Sequence, residues 1–275
     1  MKRILAEVTV VSIVFLMSAA LIPRAIAAEN VIFQDYFESY AVGTFPSSGG
    51  WQIVWNGAGD SYQVITDSYS DSPTRSLQLM GSYGWSSVVK KDFSTSSNMI
   101  GYEASLMGPP GGGGTVGFFN TPIETWGRYY ALVGFGTSGY IEAAEKSSEV
   151  LHQLQPYTPN TWYKIRVVVD RTARLFNVWI DGVLKGLNIP IYYDPYEILS
   201  LQLQVGWVDA KGYFDDVKVF EVSGPPVGGE WIPITMQTLT IANTFQMLAP
   251  WISLISLMTI LATSFVCIRR KRRQS

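Results

Sequence analysis

KGYFDDVKVFE, residues 211–221, reads as a half-buried strand with one residue out of place. Val217 and Val219 alternate with polar neighbours, the period of two that a strand requires. Asp215 stands two residues before Val217 and is therefore expected on the same apolar face. A buried, unpaired carboxylate costs on the order of several kcal/mol, so a compensating group is expected beside it. VIFQDYFESY, residues 31–40, poses the same problem near the other end of the domain. There Phe33, Asp35 and Phe37 alternate onto one face, and the middle one is an acid.

Between these two stretches the chain is a series of short strands. YQVIT, SLQLM, SSVVKKDF, YEASLM, TVGFFN, YYALVGF, WYKIRVVVD, LFNVWIDG and LSLQLQVGW alternate or run apolar. FPSSGG, NGAGD, GPPGGGG, PYTPN and WIDG punctuate them with the turn residues Gly, Pro, Asn, Asp and Ser. Ala143 to Gln153 is the best helix candidate and reads equally well as a turn and a strand. Short strands at this spacing predict an all-β fold, a two-sheet antiparallel sandwich.

The order of motifs is more specific than any one of them. Phe37-Glu38, Ser76-Leu77, Trp162-Tyr163, Val178-Trp179-Ile180-Asp181-Gly182 and Phe214-Asp215-Asp216-Val217 follow one another across about residues 33–222. In this the chain resembles the concanavalin A-like lectin/glucanase superfamily, in the laminin G-like branch of prokaryotic, including archaeal, surface proteins. The resemblance implies a jelly-roll sandwich whose first and last strands are neighbours. It also implies glycan binding or a bound calcium ion, as many members have.

That adjacency suggests one answer for the two acids. If the terminal strands pair, Asp35 and Asp215 approach each other, with Glu38 and Asp216 next door, and a cation would relieve their repulsion. Ca²⁺ takes about six to eight oxygen ligands, many of them carboxylate. The expected cofactor is thus a structural Ca²⁺ on Asp35, Glu38, Asp215 and Asp216. The alternative is that these acids cap turns or accept hydrogen bonds from backbone amides.

The two ends have a different character. Lys2 and Arg3 precede an apolar run from Val8 to Ile22, and Ala25-Ile26-Ala27 has the small-x-small pattern of a cleavage site. Residues 1–27 are expected to be a signal peptide, an uncleaved anchor being the alternative. Leu248 to Ile268 is uncharged over 21 residues, enough to span a bilayer as a helix. Arg269 to Arg273 are all basic, a cytoplasmic stop by the positive-inside rule. Residues 225–247 read as a juxtamembrane linker, 248–268 as a transmembrane helix and 269–275 as a basic cytoplasmic tail. The expected topology is single-pass, with residues 28–224 outside the cell membrane.

Composition narrows the function. Ala28 to Gly224 holds 12 Lys/Arg against 20 Asp/Glu, a net of −8, which disfavours nucleic acid as a partner. The single cysteine, Cys267, rules out an intramolecular disulfide, and one cysteine with one histidine supplies no zinc set. The Glu-x-Asp-x-Glu pair of the superfamily's glucanases is missing, and Glu142, Glu145 and Glu149 lack its spacing. His152 is the only histidine, so a Ser-His-Asp triad would depend on it. Gly111–Gly114 is not followed by Gly-Lys-Ser/Thr and reads as a turn. No catalytic residue is assigned.

Binding remains. The chain has nine Trp, 15 Tyr and 13 Phe, most of them core by pattern, Trp162 and Trp179 among these. Aromatics flanked by Gly and Ser are better placed to stack on a sugar: Trp55, Tyr83, Trp85 and Trp126, with Tyr192 and Tyr193 in the same class. The expected function is a membrane-anchored, outward-facing module that binds a cell-surface or external glycan without cleaving it. A structural or adhesive protein whose partner is another surface protein is the alternative, and a divergent glycoside hydrolase is a third.

Overall fold

Strand formation follows the period-two pattern, and several turns carry a left-handed Gly, such as Gly84, Gly139 and Gly182. The computed structural model describes residues 28–108, 113–120, 129–146, 150–192, 198–206 and 209–223. In chain order the strands are β1 (Ala28–Asp35), β2 (Trp51–Asn56), β3 (Val64–Thr66), β4 (Ser76–Met80), β5 (Ser87–Asp92), β6 (Met99–Met107), β7 (Gly114–Asn120) and β8 (Tyr129–Phe135). Then come β9 (Tyr140–Lys146), β10 (Val150–Pro156), β11 (Tyr163–Asp170), β12 (Leu175–Ile180), β13 (Val183–Pro190), β14 (Ile198–Val205) and β15 (Lys211–Ser223). The only helical turns among the described residues are the 3₁₀ segments Ser47–Gly49 and Asp60–Tyr62. Of the helix candidate, residues 143–146 lie in β9 and residues 150–153 in β10, because the strand pairing of these segments outweighs their local helix preference. β2, β9 and β13 are not among the strands that the sequence pattern marks.

The strands form two antiparallel sheets. One has the order β13-β12-β11-β6-β15-β4-β3, with β1 also paired to β15; the other runs β10-β9-β8-β7-β14-β5-β2. The fold is thus the expected all-β sandwich. Leu77, Tyr102, Val167, Phe176 and Val219 from the first sheet meet Val89, Val116, Phe118, Val133 and Leu203 from the second in one core. The fully buried Tyr102 hydroxyl donates to Val116 O (3.0 Å) and Ala131 O (2.6 Å), so a β6 side chain bonds the backbone of the opposite sheet. Burial raises that phenol well above its ordinary pKa.

The first and last strands pair as expected, with Ala28 opposite Ser223 and Asp35 opposite Val217. β15 is nonetheless interrupted. It pairs with β4 through Lys211–Phe214 and with β1 from Val217 onward, and its register on β6 shifts between Asp215 and Lys218. At this bulge Asp216 takes a φ of +48°. The extra residue reverses the parity of the side chains. Phe214 and Val217 both enter the core, whereas Asp215 lies opposite Ser105, whose neighbours Ala104 and Leu106 are core residues. Asp215 therefore points to the outer face of its sheet, not to the apolar face expected from simple alternation.

Residues 1–27 and 225–275, with the expected signal peptide, linker, transmembrane helix and basic tail, lie outside the described residues. Among the described residues no helix is long and apolar enough to cross a membrane.

Candidate functional site

Each awkward acid is met by protein donors. Asp35 accepts from the Phe37 amide (3.0 Å), the Tyr40 hydroxyl (2.7 Å) and the Trp51 indole N–H (2.9 Å). Lys91 Nζ, from the opposite sheet, lies 3.8 Å away. Burial lowers the Lys91 pKa, and the charge of Asp35 partly opposes that shift. Asp215, fully buried, accepts from the amides of Asp71 and Ser72 (both 2.9 Å), the Ser72 hydroxyl (3.3 Å) and the Asp216 amide (2.8 Å). Burial raises its pKa to about 6 in spite of these amides. Glu38 grips the same β3–β4 loop through the Thr74 amide and hydroxyl and the Arg75 amide. Its slight desolvation is outweighed by those bonds and by the Arg75 charge, and its pKa falls. Asp216 Oδ2 lies 3.7 Å from Lys164 Nζ.

The four acids expected to ligate calcium thus serve separate contacts. Asp35 faces the core, while Asp215 faces outward under the β3–β4 loop. Among the described residues no group of three or more His, Cys, Asp or Glu side chains is placed to hold a metal ion. These residues do not fit a single calcium site. The arrangement matches the other reading, acids that accept from loop amides and neighbouring side chains.

The aromatic candidates divide. Trp126 and Tyr193 lie outside the described residues. Tyr192 follows β13, the edge of the eight-stranded sheet opposite β3, and is exposed. Trp55, Tyr83 and Trp85 come together at one end of the sandwich. Ser82 and Trp85 pair across a two-residue turn in which Gly84 has φ +83°, leaving Tyr83 at the tip with 95% of its surface exposed. The Trp55 and Trp85 ring centroids are 6.2 Å apart at 53°. This end lies beside Gly81 and Ala210, so β15, about 40 Å long at its usual rise, separates it from the Ala28–Ser223 pair.

A buried glutamine holds this end together. Gln63, fully buried, donates to Asn56 O, Gly59 O and Met80 O and accepts from the Met80 amide and the Ser87 hydroxyl. One side chain thereby joins the loop after β2 to the end of β4 and the start of β5. Gly57 in that loop has φ +50°, and a Cβ there would lie 2.1 Å from Met80 O, so only glycine fits.

Register extends the aromatic end into a row. Trp55 is opposite Val88, Val88 opposite Gln204, Gln204 opposite Thr115, Thr115 opposite Gly134 and Gly134 opposite Glu142. Leu203 and Val205 point into the core, so Gln204 and its cross-strand partners face outward. The row crosses from β2 to β9, about 24 Å at the usual strand spacing. Lys90, Gln202 and Gly117 form the next row on the same face. Sequence reading identified Trp55 but missed Thr115, Glu142, Gln202 and Gln204. The alternation of LSLQLQV carries the glutamines, yet an outward glutamine there looks like any solvated strand position.

Neither a protein-family model nor a curated protein matches this sequence. Solved structures do resemble it. The catalytic domain of a glycoside hydrolase family 131 protein from Coprinopsis cinerea has a TM-score of 0.53 at 14% identity, over 73% of this chain and 98% of that one. A sialidase has a TM-score of 0.51 at 13% identity, over 71% of this chain. The match covers 19% of the sialidase, so this chain corresponds to a small part of its length. The carbohydrate-binding module CBM66 from Bacillus subtilis has a TM-score of 0.41 at 17% identity, over 62% of this chain and 94% of that one. At these identities the likeness to the first two is one of fold.

Proposed function

We propose that the domain is a carbohydrate-binding module that recognises a glycan on the outer face of the seven-stranded sheet, without cleaving it. The observation that carries this reading is the Trp55–Trp85 pair at the end of a row containing Gln204, Thr115 and Glu142. Flat rings offer an apolar surface to the C–H face of a sugar, and amide, hydroxyl and carboxylate groups beside them bond its hydroxyls. Gln63 holds the rings in place before ligand arrives, which lowers the entropy lost on binding. A sandwich of this kind is also the scaffold of a glycoside hydrolase domain, which is compatible with a sugar ligand.

Non-catalytic binding is favoured by the state of the carboxylates. Among the described residues Asp35, Glu38 and Asp215 are engaged by amides and side chains away from the row, and Glu142, within it, accepts from the Ser138 hydroxyl. Asp92, on the same face as the row, is paired with Lys90 at 2.9 Å. In the proposed setting the signal peptide directs the domain out of the cell and the C-terminal span anchors it in the cell membrane.

A glycan array probed with the full chain in detergent micelles tests the reading. Binding to defined sugars that is lost in Trp85→Ala is the expected result. Silence on the array together with capture of a surface protein would instead favour adhesion to a protein partner. Release of a cleaved product from a bound glycan would identify a hydrolase.

A further inference from the structure

On the outer face of the seven-stranded sheet two buried polar atoms, Gln202 Oε1 and Thr115 Oγ1, have no hydrogen-bond partner among the described residues. The Gln202 side chain is 2% exposed. Its amide nitrogen is already committed, donating to Gln204 Oε1 at 2.6 Å, so the orphan oxygen is fixed as an acceptor. Thr115 is directly opposite Gln204, which places the two orphan oxygens on neighbouring positions of one face. A buried acceptor left unmade is costly, and a fold gains nothing from an outward glutamine in this state. A ligand donor would satisfy it.

The charges nearby define the ligand further. Glu142 closes the row with a carboxylate held by the Ser138 hydroxyl at 2.5 Å. The cation beside Gln202 on this face, Lys90, is met by both oxygens of Asp92, at 2.9 and 3.2 Å. Around Gln202 the face therefore presents acceptors and a cation that is already neutralised, with the Glu142 carboxylate farther along the row. We infer that Gln202 and Thr115 form an acceptor subsite for the hydroxyl donors of a neutral saccharide, and that this face disfavours uronate, sialylated or sulfated chains. The inference rests on the carbohydrate reading above and names the class of sugar and the atoms that take it.

Affinity electrophoresis of the full chain in detergent micelles tests the inference, with a neutral glucan, mannan and galactan set against alginate and a sialylated glycan. The expected result is retardation by a neutral polymer, weakened about tenfold or more in Gln202→Leu, with a melting temperature equal to or above that of the parent. A purely structural glutamine would not combine lost affinity with retained or improved stability. Should Gln202→Leu melt early, Thr115→Val decides: loss of retardation supports the subsite and unchanged retardation refutes it. Stronger retardation by alginate or the sialylated glycan overturns the acceptor subsite while leaving carbohydrate binding intact. Retardation by no polymer removes both.

Discussion

Asp35 and Lys91 meet between the two sheets, carboxylate to ammonium at 3.8 Å, with Lys91 also 4.6 Å above the Phe33 ring and 5.7 Å from that of Trp51. Asp35 holds three further donors, so the pair is not symmetric. Asp35→Ala leaves those donors and a half-buried ammonium without their acceptor. It is expected to cost about 3–5 kcal/mol. Lys91→Met leaves Asp35 with its three hydrogen bonds and is expected to cost less than about 2 kcal/mol. Urea denaturation of the two variants under one buffer checks the order; equal losses would contradict it.

Asp215 makes stability depend on pH in an unusual direction. Its pKa is raised from 3.8 to about 6 by burial. The folded protein therefore takes the proton before the unfolded chain does. This contribution to stability is fully present below pH 3.8 and is lost as pH rises through about 6, up to about 3 kcal/mol in total. Glu29 and Glu38 act oppositely. Their folded pKa values lie below the usual 4.5, so their contribution is present above that value and falls away in more acidic solution. Melting temperature should thus rise as the pH is lowered from 7 to about 5 and decline in stronger acid. In Asp215→Asn the rise between pH 7 and 5 should be absent.

Gln63 offers a test of how the aromatic end is held. Gln63→Leu leaves buried backbone groups of Asn56, Gly59 and Met80 without their partner and is expected to destabilise by roughly 3 kcal/mol or more. Gln63→Glu should be worse near neutral pH, because a carboxylate would replace the amide that donates to three carbonyl oxygens. Protonation in acid should restore part of the loss. Thermal melts of both variants at pH 7 and pH 5 measure this, and indifference of the glutamate variant to pH would count against it.

A charged network covers the outer face where the terminal strands pair. Glu29 lies 2.7 Å from Arg166 and 2.9 Å from Lys218, and Glu103 contacts both cations. Both cations also lie over the Phe220 ring, Arg166 at 4.5 Å and Lys218 at 5.0 Å, and the planar guanidinium is the stronger partner there. Arg166→Ala should therefore cost more than Lys218→Ala, about 1–2 kcal/mol against less than about 1 kcal/mol. Salt should narrow the difference only in part, since the stacking on Phe220 is not purely ionic. Denaturation midpoints at low and high ionic strength give the comparison.

The sequence alone determined the strand class of the domain and the anomaly at each end of it. Period-two alternation in segments such as WYKIRVVVD reports local burial, and an acid in such a pattern stands out whatever the fold. The pairing of β1 with β15 followed from family resemblance and is what the structure has. What fills the space around the acids was decided by tertiary structure. Lys91 reads as an ordinary member of a Lys-Lys pair until β5 is packed against β1. One bulge residue at Asp216 turns Asp215 from the core face to the outer face, and parity counted along the sequence passes over an inserted residue. The row from Trp55 to Glu142 joins six strands far apart in sequence; its existence depends on register between strands, which hydrogen bonding fixes only once both sheets have formed.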